Sequence, residues 1–158
     1  MSGLQSKISL ASPEDTRAIA QRLGGYLHAG DVLLFEGDIG AGKTHFARCL
    51  IQSLLPEPED VPSPTFTLVQ TYETPDFEIW HADLYRLSSP DEVVELGLTE
   101  AFEDAVCLVE WPDRLAELKP EKALTLSLQM TDTRGERELT LRAKDSRWAV
   151  VLDKMIHG

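Results

Sequence analysis

An α/β domain is what this 158-residue sequence predicts, and three observations predict it. The apolar run Val32-Leu33-Leu34-Phe35 has the unbroken hydrophobicity of a strand covered on both faces, the habit of sheets flanked by helices. It leads directly into a glycine-rich octapeptide, Gly37-Asp38-Ile39-Gly40-Ala41-Gly42-Lys43-Thr44. Phe46, Ala47, Leu50, Ile51 and Leu54 then recur at helical spacing, so the order is strand, loop, helix. With 42% hydrophobic residues and no fixed-period repeat, the chain fits one domain over residues 1–158.

The other elements follow in order. Ser12-Pro13-Glu14-Asp15 sets an N-cap serine before an N1 proline and two first-turn acids. A helix is predicted there, with Ile19, Leu23, Tyr26 and Leu27 on its buried face and its end at Gly30-Asp31. Pro56 and Pro58 stop the helix that follows the glycine loop. Phe66 to Tyr72 and Phe77 to Trp80 read as strands around a turn at Pro75-Asp76. Ser89-Pro90-Asp91-Glu92 repeats the capping grammar and predicts a short helix through Leu96, stopped by Gly97. Val106 to Val109 is a second buried-strand run. Leu124, Leu126, Leu128 and Met130 alternate with polar residues, and Leu139-Thr140-Leu141 answers them across 132–136 as a late hairpin. Trp148 to Ile156 is predicted as a closing helix.

The octapeptide fits Gly-x-x-x-x-Gly-Lys-[Ser/Thr], the phosphate loop of nucleotide-binding domains, and stands between strand and helix as that motif requires. Glycines let the backbone curl so that successive N–H groups point at phosphate oxygens. Lys43 is expected to reach the β- and γ-phosphates, and Thr44 to offer its hydroxyl to Mg²⁺. Two acids end strands: Asp83 after 77–82, and Glu110 after Val106-Cys107-Leu108-Val109. Ends of neighbouring strands converge on the ligand crevice of an open α/β sheet, so one acid can hold Mg²⁺ while the other places the attacking water. Glu110 is expected to orient water and Asp83 to carry the metal dependence. Ser63-Pro64-Thr65-Phe66 presents Thr65 either as a sensor of the γ-phosphate or as the cap of a plain proline loop.

Charge narrows the functional class. A formal net charge of −12 repels nucleic acid and anionic lipid, so a protein partner is expected rather than direct tRNA or membrane binding. No run of eighteen apolar residues occurs, and the expected location is cytoplasmic. Cys49 and Cys107 read as reduced core residues, and four scattered histidines make no metal cluster. The sequence contains no asparagine, which excludes the Asn-Lys-x-Asp element of Ras-like GTPases and leaves ATP by elimination. Asp132-Thr133-Arg134-Gly135 is a hairpin tip, not a GTPase switch. Two other classes share the loop. A small P-loop kinase would add a lid of several arginines, whereas only Arg48 and Arg86 stand near these motifs. A regulator that binds ATP without hydrolysing it would need Lys43 and neither acid.

The octapeptide at 37–44, Ser63-Pro64-Thr65-Phe66-Thr67-Leu68-Val69, His81-Ala82-Asp83-Leu84-Tyr85-Arg86 and Val109-Glu110-Trp111 together resemble the bacterial TsaE family, also called YjeE, over residues 10 to 120. The resemblance implies a P-loop NTPase-like domain with a mixed β-sheet flanked by helices. It implies an ATPase required for N6-threonylcarbamoyladenosine beside the tRNA anticodon, working with the TsaD/TsaB transferase pair. By position, Lys43 and Thr44 take phosphate and Mg²⁺, Asp83 and Glu110 are the family's essential acids, and Thr65 lies in its switch-like segment. Thr16 corresponds to a threonine near the family's adenine site. His45 stands where many relatives have a second threonine, and its backbone N–H serves the phosphate regardless. Pro62 ahead of Ser63-Pro64 stiffens the switch-like loop. No catalytic role carries to the residues after about 120. With no arginine finger evident, turnover is expected to be slow alone and faster with partners.

Overall fold

The computed structural model describes residues 4–157, and its organising element is a seven-stranded sheet in the order β1-β7-β6-β2-β5-β4-β3. The strands are β1 (Leu4–Leu10), β2 (Val32–Glu36), β3 (Val69–Glu73), β4 (Glu78–Asp83), β5 (Val106–Glu110), β6 (Leu124–Met130) and β7 (Arg137–Ala143). The helices are α1 (Pro13–Gly24), α2 (Lys43–Leu54), α3 (Pro90–Glu95), α4 (Leu98–Asp104) and α5 (Arg147–His157), with a 3-10 segment at Pro112–Leu118. The two apolar runs, β2 and β5, lie side by side and parallel at the centre, while β1, β7 and β3 pair antiparallel with their neighbours. The sheet is therefore mixed.

Each face of the centre is covered by its own apolar layer. Phe35, Phe46, Leu50, Ile51, Leu23 and Trp148 join α1, α2 and α5 on one side, and Leu34, Leu84, Val93, Leu98, Phe102 and Leu115 join α3, α4 and the 3-10 segment on the other. Complete burial of Val32 through Phe35 follows from this double cover. Beyond it, β6 and β7 alternate buried leucines with polar residues such as Thr125, Ser127 and Arg142, whose guanidinium meets Glu36 at 2.5 Å. Both cysteines are free and buried, and burial pushes the Cys107 thiol up to about 12.

Local chemistry explains most boundaries. Ser12 Oγ accepts the Asp15 N–H at 3.3 Å and Pro13 opens α1. Glu92 Oε1 accepts the N–H groups of Ser88 and Ser89, fastening the start of α3. Four details depart from the sequence reading. α1 ends at Gly24, several residues before Gly30. β3 starts only at Val69, because Leu68 turns the chain with φ 70° and its N–H bonds Pro64 O; Phe66 is left 83% exposed. Gly97 ends α3 as expected but also opens α4, which the sequence reading passed over. β1 is likewise absent from the elements expected above, although Leu4, Ile8 and Leu10 alternate with exposed Gln5, Lys7 and Ser9 in a short half-buried strand pattern; it pairs with β7 at the sheet edge.

Candidate functional site

Strand β2 delivers the chain into the loop at residues 37–42, and α2 begins at Lys43. Gly37 has φ 145°, and a Cβ there would lie 2.5 Å from Leu128 O of β6, so only glycine fits against that neighbouring backbone. Gly42 caps α2 in the left-handed conformation at φ 106° with no side-chain cap, and the first-turn N–H groups of a helix left without such a cap can receive an anion. Gly37, Asp38 and Ala41 form the outer wall of the loop against Leu128, Gln129 and Met130.

Lys43 is almost fully buried. Its Nζ donates to Gly37 O and, at 3.4 Å, to Asp38 O, and it lies 3.7 Å from the centroid of the Trp111 ring. Burial pushes the ammonium below the ordinary lysine value, while Glu110, Asp83, Asp38 and Asp113 pull it up. Trp111 reaches this position by adopting φ 60° directly after β5, and its ring also packs on Tyr85 at 4.8 Å. A bulky residue in the left-handed region is costly, and here it places an aromatic floor under the lysine.

The two acids meet the loop differently. Asp83 and Glu110 are register partners at the ends of parallel strands β4 and β5, with Glu110 also beside Phe35 of β2. The central strand's neighbour therefore supplies the acid that reaches the loop: Thr44 Oγ1 donates to Glu110 Oε1 at 2.8 Å. Asp83, one strand further out, accepts the Tyr85 N–H at 3.0 Å and the Thr65 hydroxyl at 3.2 Å. Thr65 in turn bonds Ser63, so the switch-like segment is tied to Asp83. Ile39, Gly40, Gly42, Lys43, Thr44, His45, Thr65, Asp83 and Glu110 line one cleft of about 380 Å³ with Tyr85 and Trp111.

A second hollow of about 330 Å³ opens on the other side of Gly40, Ala41 and Gly42, lined by Pro13, Thr16, His45, Leu128, Gly135 and Arg137. Thr16 faces it from α1, with its hydroxyl turned to Ser12 O at 3.4 Å. His45 borders both hollows. The late hairpin, to which the sequence reading gave no role, thus forms a wall beside the loop.

His81, which opens the motif His81-Ala82-Asp83-Leu84-Tyr85-Arg86 but has no role assigned above, also belongs to this site. It is fully buried, and its Nε2 donates to Glu110 Oε2 at 2.7 Å, while Nδ1 has no partner among the described residues. With one carboxylate oxygen held by His81 and the other by Thr44, Glu110 has a single orientation. His81→Gln retains an N–H at comparable reach and is expected to keep most nucleotide-dependent activity, whereas His81→Leu is expected to lose about tenfold or more as the carboxylate swings free. Equal activity in both variants, measured on protein of matched melting temperature, would remove that role. In the sequence, His81 opens one of the motifs and stands two residues before the strand-end acid Asp83, on the same face of the strand.

A phosphate loop leaving a buried central strand, with an adjacent strand's acid bonded to the loop threonine, defines a P-loop NTPase-like domain. The model of the family described as threonylcarbamoyl adenosine biosynthesis protein TsaE matches residues 10–139, and the chain belongs to this family of threonylcarbamoyladenosine biosynthesis proteins. The tRNA threonylcarbamoyladenosine biosynthesis protein TsaE of Rickettsia bellii is 41% identical over 132 residues, covering 84% of this chain and 92% of that one. Its Bacillus subtilis counterpart is 36% identical over 152 residues, covering 96% and 94%. The crystal structure of Bacillus subtilis YdiB superposes with a TM-score of 0.80 at 29% identity, covering 99% of this chain and 97% of that one. The family match runs past residue 120 and takes in the hairpin through Leu139.

Proposed function

We propose that this chain is a Mg²⁺-dependent ATP hydrolase of tRNA threonylcarbamoyladenosine biosynthesis that works in complex with TsaD and TsaB. The observation that carries the reading is the Thr44–Glu110 hydrogen bond, which brings a strand-end carboxylate to the hydroxyl of the phosphate loop. Gly37 through His45 would hold the phosphates, and the hollow bordered by Thr16 would take the nucleoside.

The donor set fits Mg²⁺. Thr44, Glu110 and Asp83 present only oxygen, and no group of three or more His, Cys, Asp or Glu forms a cage among the described residues. That is the situation in which Mg²⁺ is held by one or two carboxylates together with substrate phosphates, and it supplies charge neutralisation on the phosphoryl oxygens. Glu110, bonded to Thr44, would hold the metal, and Asp83, bonded to Thr65, would orient the water. This exchanges the roles expected from the sequence. Lys43 would leave the Gly37 and Asp38 carbonyls for the phosphates.

No arginine lines the cleft among the described residues, and Arg86 instead lies over Phe66 at 5.5 Å. Turnover by the chain alone is therefore expected to be slow, since a supplied arginine is worth about 10³–10⁵ in rate. No helix among the described residues is long and apolar enough to cross a membrane. The test is phosphate release with and without the TsaD/TsaB pair, beside a gel shift with tRNA. Stimulation by the pair and no shift by the chain alone is the expected result. Full-speed turnover without partners, or release only with a small-molecule acceptor as in a kinase, would overturn the reading.

A further inference from the structure

Arg137 opens β7 at the sheet end where the phosphate loop lies. It is paired in register with Leu10 of β1 and Met130 of β6. Strand β6 runs parallel to β2, with Ser127 beside Glu36, so the chain end of β6 passes along the loop and brings the start of β7 with it. The Arg137 guanidinium gives Nε to Ala41 O at 3.1 Å, one terminal nitrogen to Gly40 O at 3.4 Å and the other to Glu136 O at 3.0 Å. Among the described residues no carboxylate lies within ion-pair distance of it, although the chain carries 27 acids. A planar fork is spent on backbone carbonyls of the loop, and its charge stays beside an anion site.

We propose that Arg137 is a positioning residue of the phosphate loop, holding the Ala41–Gly42 peptide so that its N–H faces the phosphates. In a trans peptide the carbonyl of one residue and the N–H of the next point in opposite directions. Fixing Ala41 O outward on Arg137 therefore fixes the Gly42 N–H inward. Gly42 is the left-handed residue that caps α2, and with no Cβ it has the widest choice of backbone conformation, so the loop needs an external clamp at that point. Preset N–H groups bind an anion without the cost of ordering them on arrival. The inference rests on the nucleotide reading above and adds a residue that lies outside every motif.

Calorimetric titration of ATP and, separately, of inorganic tripolyphosphate, each with Mg²⁺, into wild type, Arg137→Ala and Arg137→Lys tests it. Arg137→Ala is expected to weaken both ligands by the same factor, about tenfold or more. Arg137→Lys should fall between, because an ammonium is a single point charge rather than a fork. The Gly42 amide resonance of the free protein should shift in both variants. Unchanged affinity for both ligands overturns the proposal, and so does a loss for ATP alone, which would place Arg137 on the nucleoside. If Arg137→Ala does not fold, the same two titrations on Arg137→Lys decide: an equal loss supports the clamp and no loss overturns it. Failure of the wild type to bind ATP would defeat the nucleotide reading, which is a separate outcome.

Discussion

Lys43→Ala is expected to abolish useful ATP binding, lowering affinity about a hundredfold or more. Hydrogen bonds to charged groups are worth about 1.5–3 kcal/mol each, and this ammonium would serve two phosphates. The surroundings enlarge the loss. Glu110, Asp83, Asp38 and Asp113 all act on the Lys43 charge, and without it the carboxylates that this ammonium offsets repel a polyanionic ligand more strongly. Folding should suffer little, because the variant gives up a buried ammonium that burial already disfavours and leaves the Gly37 and Asp38 carbonyls at a cleft open to water. Calorimetry and a thermal melt of the same preparation separate the two effects. ATP affinity unchanged in a folded variant would contradict the phosphate-loop assignment.

Glu110→Gln is the second large effect, with an expected fall in turnover of about 10²–10³ and loss of the Mg²⁺ dependence of ATP binding. Glu110 stands between two donors, Thr44 Oγ1 and His81 Nε2. Glutamine has one acceptor oxygen and an NH₂ group, so one of those donors faces another donor unless the network rearranges. Asp83→Asn is expected to keep Mg²⁺-dependent binding while turnover falls, because its partners are Thr65 and the Tyr85 N–H rather than the loop threonine. ATP titrations with Mg²⁺ and with a chelator, run on both variants, distinguish the roles. Metal dependence lost only in Asp83→Asn would return the metal to Asp83, and equal loss in both would mean that the two acids share it.

Much of this arrangement was legible along the chain, and the reason is local. A phosphate loop is built from consecutive residues whose conformations are set by glycine and by the start of a helix, so Gly37 through Thr44 announce themselves. Strands β2 and β5 are buried on both faces and carry four apolar residues in a row, which also exposes the acid at the end of β5. The capping serines of α1 and α3 were readable for the same reason. By itself, then, the sequence determined the loop, the acids at strand ends and the α/β class.

Tertiary structure alone decided which of those groups meet. Whether Glu110 or Asp83 faces Thr44 depends on strand order, and β5 rather than β4 lies next to β2. His81 reaches Glu110 because β4 and β5 run parallel in one register, 29 residues apart in the chain. Arg137 comes to Ala41 across 96 residues through a hairpin whose alternating pattern announces only a half-buried sheet. Strand pairing of this kind is written in no short window, since each strand's hydropathy says which face is buried and says nothing of its neighbour.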